Sequence, residues 1–468
     1  MSVITAETIR DERASMYADG GLPRYSSYRE SGVPWIGRVP SHWTVDRLKW
    51  TIDACQNGIW GDEPDGINDI PCVRVADFDR TALRVVDDVQ TLRAVTLAER
   101  RGRLLSRGDM LLEKSGGGEL QPVGVVIGYD RDQTAVCSNF VARIGVARDF
   151  AQRFLIYLHA HLYSGRVNTR SINQTTGIQN LDSTAYFDEL ACWPPRDEQA
   201  VIADWLDDRT KRIDELVAAK KRLIELLAEQ RLARITHVVC KGLNPAAPMK
   251  PSGIEWLGDI PVHWSVKRLA MAAREITNGF VGPTRDILYD EGVRYLQSLH
   301  IKNGRIVFHK PYFVAPEWSQ ARPRTVLRKG DVLLVQTGDV GSCAVVTDEF
   351  VGCNCHALII TRLKPQVAIG AYLAIFWQTR VGRSMLDRCM TGALHPHLEV
   401  GKVRDEWMPI PPLTEQSQIV EHVTDIETQI DALIAATESA ISRLTEYRQS
   451  LITAAVTGKI DVRKGVSR

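Results

Sequence analysis

The sequence predicts a mixed α/β (α+β) protein in which two similar globular units alternate with two long helices that pack as an antiparallel coiled coil. Three observations carry this expectation. A heptad run fills residues Glu415 to Val456, a second and more polar copy of that run lies in the first half of the chain, and a tryptophan-rich motif ahead of each half recurs at one constant offset.

The helices come first because they set the period. From Ile419, alternating steps of four and three reach Val423, Ile426, Ile430, Leu433, Thr437, Ala440, Leu444, Tyr447, Leu451 and Ala454. This is an a/d seam. Aligning Gln416 with Gln199 carries the same register to Ile202, Leu206, Arg209, Ile213, Leu216, Lys220, Leu223, Leu227, Gln230 and Arg234. Pro194-Pro195 and Pro411-Pro412 stop the preceding segments and permit a helix start just beyond. At about 1.5 Å per residue, some 40 residues span roughly 60 Å. An isolated helix of that kind leaves its apolar stripe in water, so the two are expected to pair. Arg209, Lys220 and Arg234 interrupt the first seam and are expected to snorkel or to face a partner subunit.

Taken in order, residues 1–30 read as a polar arm. SGVPWIGRVPSHWTVDRLKW then begins at Ser31 and returns as SGIEWLGDIPVHWSVKRLA from Ser252, pairing Trp35 with Trp256, Pro40 with Pro261 and His42-Trp43 with His263-Trp264. A His-Trp pair just after proline is expected to close a turn against an apolar surface. In each copy a Gly-Asp turn (Gly108-Asp109, Gly330-Asp331) feeds an apolar strand and a glycine-containing loop, Glu113 to Gly118 and Gln336 to Gly341. Basic residues precede each turn: Arg100, Arg101, Arg103 and Arg107 in one copy, Arg322, Arg324, Arg328 and Lys329 in the other. Amphipathic stretches at Phe154–Leu158 and Tyr372–Trp377 follow, then polar loops at Arg170–Gly177 and Arg388–Gly392, an apolar strand, the proline pair and the long helix. The expected boundaries are 1–30 for the arm, 31–195 for the first unit and 196–241 for the first helix. They continue with 242–412 for the linker and second unit, 413–457 for the second helix and 458–468 for a tail.

Composition bounds the function. The chain has 468 residues, 44% hydrophobic and 25% charged, with net charge +1, so nucleic-acid binding must come from local patches. No apolar run is long enough to cross a membrane, and MSVITAETIRDER lacks a signal-peptide core, so a cytoplasmic location is expected. Nine scattered cysteines fit a reducing compartment. Cys353, Cys355 and His356 have no second ligand pair at zinc-site spacing, so no metal site is expected. Gly401-Lys402 and Gly458-Lys459 precede Val403 and Ile460, which excludes a Walker A loop, and no dinucleotide fingerprint is present. The residues beside the proline pairs do not complete the Asn/Asp-Pro-Pro-aromatic motif of amino-methyltransferases. With no catalytic constellation, a binding protein is expected.

Four motifs together resemble the specificity subunit of type I restriction-modification enzymes. They are the Ser31 and Ser252 segments with their His-Trp pairs, Pro-Pro-x-x-Glu-Gln at Pro194 and Pro411, Thr236 to Pro245 closing the first helix, and Ala455 to Asp461 closing the second. The resemblance implies that two target-recognition domains each read one half of a split, asymmetric DNA site. It implies that the helices act as spacer and dock two methyltransferase subunits, and that motor-nuclease subunits join them. It also implies that the chain holds no cofactor, while S-adenosylmethionine, ATP and Mg belong to the partners. A coiled-coil adaptor without specific DNA binding is the competing expectation.

By position, the family's DNA-facing loops fall on 108–121, 330–341, 170–177 and 388–395. Arginine and lysine near the Gly-Asp turns are expected to position phosphates, while Arg/Lys and Asn/Gln side chains in the loops read guanine and adenine edges. The candidate contacts are Arg103, Arg107, Lys114, Ser115, Gln121, Arg170, Asn173, Gln174 and Thr176 in the first unit. Those in the second are Arg324, Lys329, Gln336, Thr337, Arg388, Thr391 and His395.

Overall fold

The computed structural model describes residues 23–175, 177–392 and 396–465. They fall into two compact units, one drawn from 1–220 and 438–468, the other from 221–437.

In the first unit the central sheet has six strands. Their order is Ile52–Asn57, Val141–Val146, Asp109–Glu113, Val126–Tyr129, Arg84–Val85 and Phe78–Asp79. All neighbours run antiparallel except Val126–Tyr129 with Arg84–Val85. The middle strand is buried on both faces, which explains its unbroken apolar reading. Met110 and Leu112 join the core that holds Phe154, Leu155 and Leu158 of the Gln152–Ser164 helix, whereas Leu111 packs with Ile127 and Val141 on the other face.

The second unit repeats the frame with four strands, in the order Ala273–Asn278, Leu358–Leu363, Val332–Val335 and Cys343–Val345. Val332 and Leu334 pack toward Tyr372, Leu373 and Phe376 of the Gly370–Gln378 helix, and Leu333 and Val335 face the opposite core. In each unit the strand after the His-Trp pair lies antiparallel to the strand before the proline pair, Thr44–Arg47 with Leu190–Trp193 and Ser265–Arg268 with Trp407–Ile410. This joins the beginning and end of each unit directly beneath a helix start.

The repeated motifs hold that junction. Glu198, buried in the first turn of the first long helix, accepts hydrogen bonds from Tyr25 Oη (2.6 Å) and Trp43 Nε1 (3.1 Å), and meets His42 Nε2 (2.8 Å) and Arg463 Nη1 (3.3 Å). Glu415 repeats this with His263 Nε2 at 2.7 Å and Trp264 Nε1 at 2.9 Å. The neighbouring glutamines bridge backbone: Gln199 accepts from Ala151 N and donates to Pro194 O, and Gln416 accepts from Ile369 N and donates to Pro411 O. Trp43 and Trp264 are fully enclosed, so the expected turn against an apolar surface is what forms.

The long helices run from Arg196 to Lys241 and from Leu413 to Val456. They are antiparallel in both units. In the first unit Glu198 meets Arg463 and Asp214 meets Arg448 (2.9 Å); in the second Arg231 pairs with Asp431, and Glu415 approaches Gly242. The seam differs from the expected one at alternate positions. Along the first helix the inward residues are Leu206, Thr210, Ile213 and Val217, then Ile224, Leu227, Arg231 and Ile235, while Leu216 and Leu223 stand 46% and 44% exposed. On the second helix Ile434 takes the place expected for Leu433, which is 54% exposed. The apolar residues come in adjacent pairs, Leu216-Val217, Leu223-Ile224 and Leu433-Ile434, so steps of four-three and three-four fit the sequence equally. Packing selects the β-branched member each time. Arg209 and Arg234 are therefore solvent-facing and not seam residues, and Arg209 lies 5.7 Å over the Trp205 ring.

Candidate nucleic-acid interface

The Gly-Asp turns are structural braces. Asp109 accepts from Ser106 N (2.7 Å) and takes a two-pronged contact from Arg143 on the neighbouring strand (2.7 and 3.0 Å). Asp331 does the same with Arg328 N (2.9 Å) and Arg362 Nε (3.2 Å), and Arg362 also binds Glu275 at 2.6 Å. Burial pushes the Asp331 carboxyl above its ordinary range against the pull of Arg328 N–H and Arg362, and the Arg362 and Arg324 guanidinium groups hold Glu275 below its range despite desolvation.

The basic residues before these turns are largely spoken for. Arg107 is bidentate to Asp132 (2.8 and 3.1 Å), Arg103 donates to Glu99 O, Arg324 binds Glu275 (2.9 Å) and Lys329 binds Asp348 (2.8 Å). They also stand at the far end of the central strand from the loops. From Arg107 to Lys114 the extended chain covers roughly 20 Å at about 3.3 Å per residue. The structure does not bring the basic clusters and the glycine loops together.

It does bring the two polar loops together. In the first unit a three-stranded sheet orders Ser115–Gly116, Ile178–Leu181 and Ile172–Thr175. Ser115 faces Asn180, and Asn180 faces Asn173. Ser115 Oγ donates to Asn180 Oδ1 at 2.6 Å, and Lys114 Nζ donates to Asn57 Oδ1 at 2.7 Å. Asn173 and Gln174 are exposed beside them; Gln121 is exposed on the turn closed by Gly118 N to Gln121 O. The second unit builds the counterpart from shorter pieces. Thr337 bridges to His397, Thr391 pairs with His397 on the strands Met390–Thr391 and His397–Leu398, and Gln336 Nε2 donates to Leu398 O at 2.9 Å. The row Ser115, Asn180, Asn173 in one unit thus answers Thr337, His397, Thr391 in the other.

Arg170 reaches Glu189 (3.5 Å), and Arg388 reaches Glu406 (3.4 Å) while lying 4.9 Å over the Trp256 ring, so both flank the rows in ion pairs. Thr176 and His395 lie outside the described residues. Sequence reasoning missed Asn180 and His397, the middle members of the rows; in Ile178-Gln179-Asn180-Leu181 the two polar residues are adjacent, so no apolar-polar alternation marks Asn180 as the one that faces out.

Next to the first row lies a cavity of about 450 Å³ lined by Trp60, Arg74, Glu113, Ser138 and Phe140, together with the backbone of Gly116 and Gly117. Arg80 Nη2 holds Glu113 Oε1 at 2.7 Å, and burial pushes this carboxyl up against the pull of Arg80. In the second unit the strand position of Glu113 is occupied by Val335.

Among the described residues no group of three or more His, Cys, Asp or Glu is arranged to hold a metal ion. Burial pushes the Cys353 thiol up to about 11 and Cys355 higher still, and it lowers His356; the two cysteines belong to the second unit's apolar core, while His356 lies beside Tyr295. Among the described residues no helix is long and apolar enough to cross a membrane.

Fold and site together define a duplicated α/β scaffold in which each unit repeats one strand frame and presents a polar row of its own composition. The chain is a relative of type I restriction enzyme specificity subunits. It is 23% identical over 358 residues to the EcoBI specificity subunit of Escherichia coli, covering 72% of this chain and 74% of that one. It is also 23% identical over 446 residues to the putative MjaX specificity subunit of Methanocaldococcus jannaschii, covering 92% and 96%. No family model matches the chain. Among solved structures it resembles a chain from work on complex assembly and conformational transition of the type I R-M system (TM-score 0.68, 17% identity, 89% of this chain and 98% of that one). It also resembles the HsdS subunit from Thermoanaerobacter tengcongensis (TM-score 0.53, 17% identity, 90% and 98%). At these identities the structural likeness speaks for the fold.

Proposed function

We propose that this chain is the DNA sequence-reading subunit of a type I restriction-modification complex. The observation that carries the reading is the pair of polar rows: one backbone frame presents Ser115, Asn180 and Asn173 in one unit and Thr337, His397 and Thr391 in the other. Two such rows suit an asymmetric site whose halves differ, since amides and hydroxyls on a strand reach base edges in the major groove. The chain is non-catalytic by itself. Residues 31–195 and 242–412 serve as recognition domains, and the helices 196–241 and 413–457 set the spacer and dock two methyltransferase subunits. Those partners and the motor-nuclease subunits bring S-adenosylmethionine, ATP and Mg. Arginine and lysine flanking the rows position phosphates, so affinity falls steeply with salt.

The test is co-expression with a candidate methyltransferase subunit from the neighbouring genes, followed by single-molecule sequencing for N6-methyladenine. A split motif seen only when both proteins are present is expected. Expressed, soluble proteins without such a motif would move the weight to an adaptor.

A further inference from the structure

The cavity in the first unit has the parts of a site for a flat ligand that donates hydrogen bonds. Glu113 and Ser138 line it, each only 1% exposed, and Glu113 Oε2 and Ser138 Oγ have no hydrogen-bond partner. Buried polar atoms left unsatisfied are costly, so two in one wall mark a place for a group that completes them. Arg80 holds the other Glu113 oxygen, which fixes the carboxylate plane. Trp60 and Phe140, partly exposed, supply flat apolar faces. Trp60 is pinned in turn: the Arg93 guanidinium lies 4.6 Å over its ring and is tied to Glu63 and to the Trp60 and Gly61 carbonyls.

We propose that this cavity binds an amino-bearing nucleobase, adenine or cytosine, in an unstacked state, with its exocyclic amine donating to Glu113 Oε2 and its ring held by Trp60 and Phe140. In both bases the amine stands beside a ring-nitrogen acceptor, which suits a carboxylate and a hydroxyl in one wall, Ser138 Oγ donating to the ring nitrogen. A base still stacked in a duplex cannot reach atoms this deeply buried, so the occupant is a base taken out of DNA or a free nucleoside. The first source rests on the DNA-reading function proposed above; the chemistry of the pocket does not. Only the first unit carries the site, because Val335 replaces the carboxylate in the second.

Equilibrium dialysis of the full chain against adenosine and purine riboside, which differ only in the amine, tests the pocket. Adenosine is expected to bind at least about tenfold more tightly, the scale of one hydrogen bond to a charged acceptor. Glu113→Gln keeps the side-chain volume but puts an amide nitrogen at the free position, and the contrast should fall to within about twofold. Trp60→Ala should weaken both nucleosides alike. Undetectable adenosine binding by the wild-type chain, or a contrast that survives Glu113→Gln, overturns the proposal.

Permanganate oxidation of target duplex bound by the chain without methyltransferase subunits separates the sources. A thymine exposed opposite an adenine with the wild type but not with Trp60→Ala assigns the base to DNA. Selective adenosine binding with neither that thymine nor, opposite a cytosine, a guanine made reactive to kethoxal assigns a free nucleoside. Target DNA binding without nucleoside selectivity sinks the pocket alone, whereas selectivity without any DNA binding sinks the DNA-reading function alone.

Discussion

Glu198 and Glu415 occupy the same turn of the two long helices and gather the same His-Trp pair, whereas Glu113 and Val335, at one strand position of the two units, share no chemistry. The first pair sits where the backbone of each unit must be fastened to a helix start. The second sits where the strand runs out toward the polar row. Repetition is retained where a side chain fastens the protein's own frame to a helix start, and it lapses at the strand position beside the cavity.

The clamp offers the largest test of that contrast. Glu198→Ala strands the buried donors Tyr25 Oη and Trp43 Nε1 and takes one acceptor from the more exposed His42 and Arg463, and it is expected to cost about 3–5 kcal/mol, in the range for breaking a buried charged network. Glu415→Ala strands two at a more open site and should cost about 2–3 kcal/mol by the same reasoning. Urea unfolding of the two variants reads the difference; equal losses would mean that Tyr25 and Arg463 add nothing to the first clamp.

Side chains in the rows should act on one half of the target each. Asn173→Ala is expected to relax one half-site by about 1–3 kcal/mol of discrimination, roughly ten- to hundredfold, and Thr391→Ala the other. Methylation sequencing with the partner present checks both. A change spread over both halves from either variant would break the assignment of one row to one half.

The seam ion pairs differ on a smaller scale. Asp214→Ala leaves Arg448, 14% exposed and inward-facing, without its carboxylate, and should cost about 1–2 kcal/mol. Asp431→Ala removes a carboxylate that is 66% exposed, and less than about 0.5 kcal/mol is expected. Thermal melts of the two variants order them.

The effect at Glu113 depends on pH. Burial raises its folded-state pKa above the ordinary 4.5, so the native state binds more protons than the unfolded one and loses stability as pH rises through that raised value. Glu113→Gln should therefore be neutral or stabilising by up to about 1 kcal/mol near pH 8, with the gain vanishing near pH 4. A gain that grows toward acid pH would contradict a raised carboxyl.

The duplication, the helices and the turn-closing role of the His-Trp pairs were legible because each leaves a local or periodic mark. The polar loops were legible as loops, and Lys114, Ser115, Asn173, Gln174, Gln336, Thr337 and Thr391 do gather in two places. The basic clusters were legible only as composition. Arg107, Arg324 and Lys329 find their carboxylates in Asp132, Glu275 and Asp348, 25, 49 and 19 positions away, and no local pattern announces such partners.

By itself the sequence determined the order unit, helix, unit, helix, since heptad spacing and repeated motifs are properties of neighbours along the chain. Only the tertiary structure decided which member of Leu216-Val217, Leu223-Ile224 and Leu433-Ile434 turns inward. It also decided that Asp109 and Asp331 brace arginines, that Asn180 and His397 complete the rows, and that Glu113 meets Ser138 in one cavity. The reason is physical: adjacent leucine and isoleucine are nearly equal in hydrophobicity, and a carboxylate takes its role from the atoms packed around it, which lie far away in the chain.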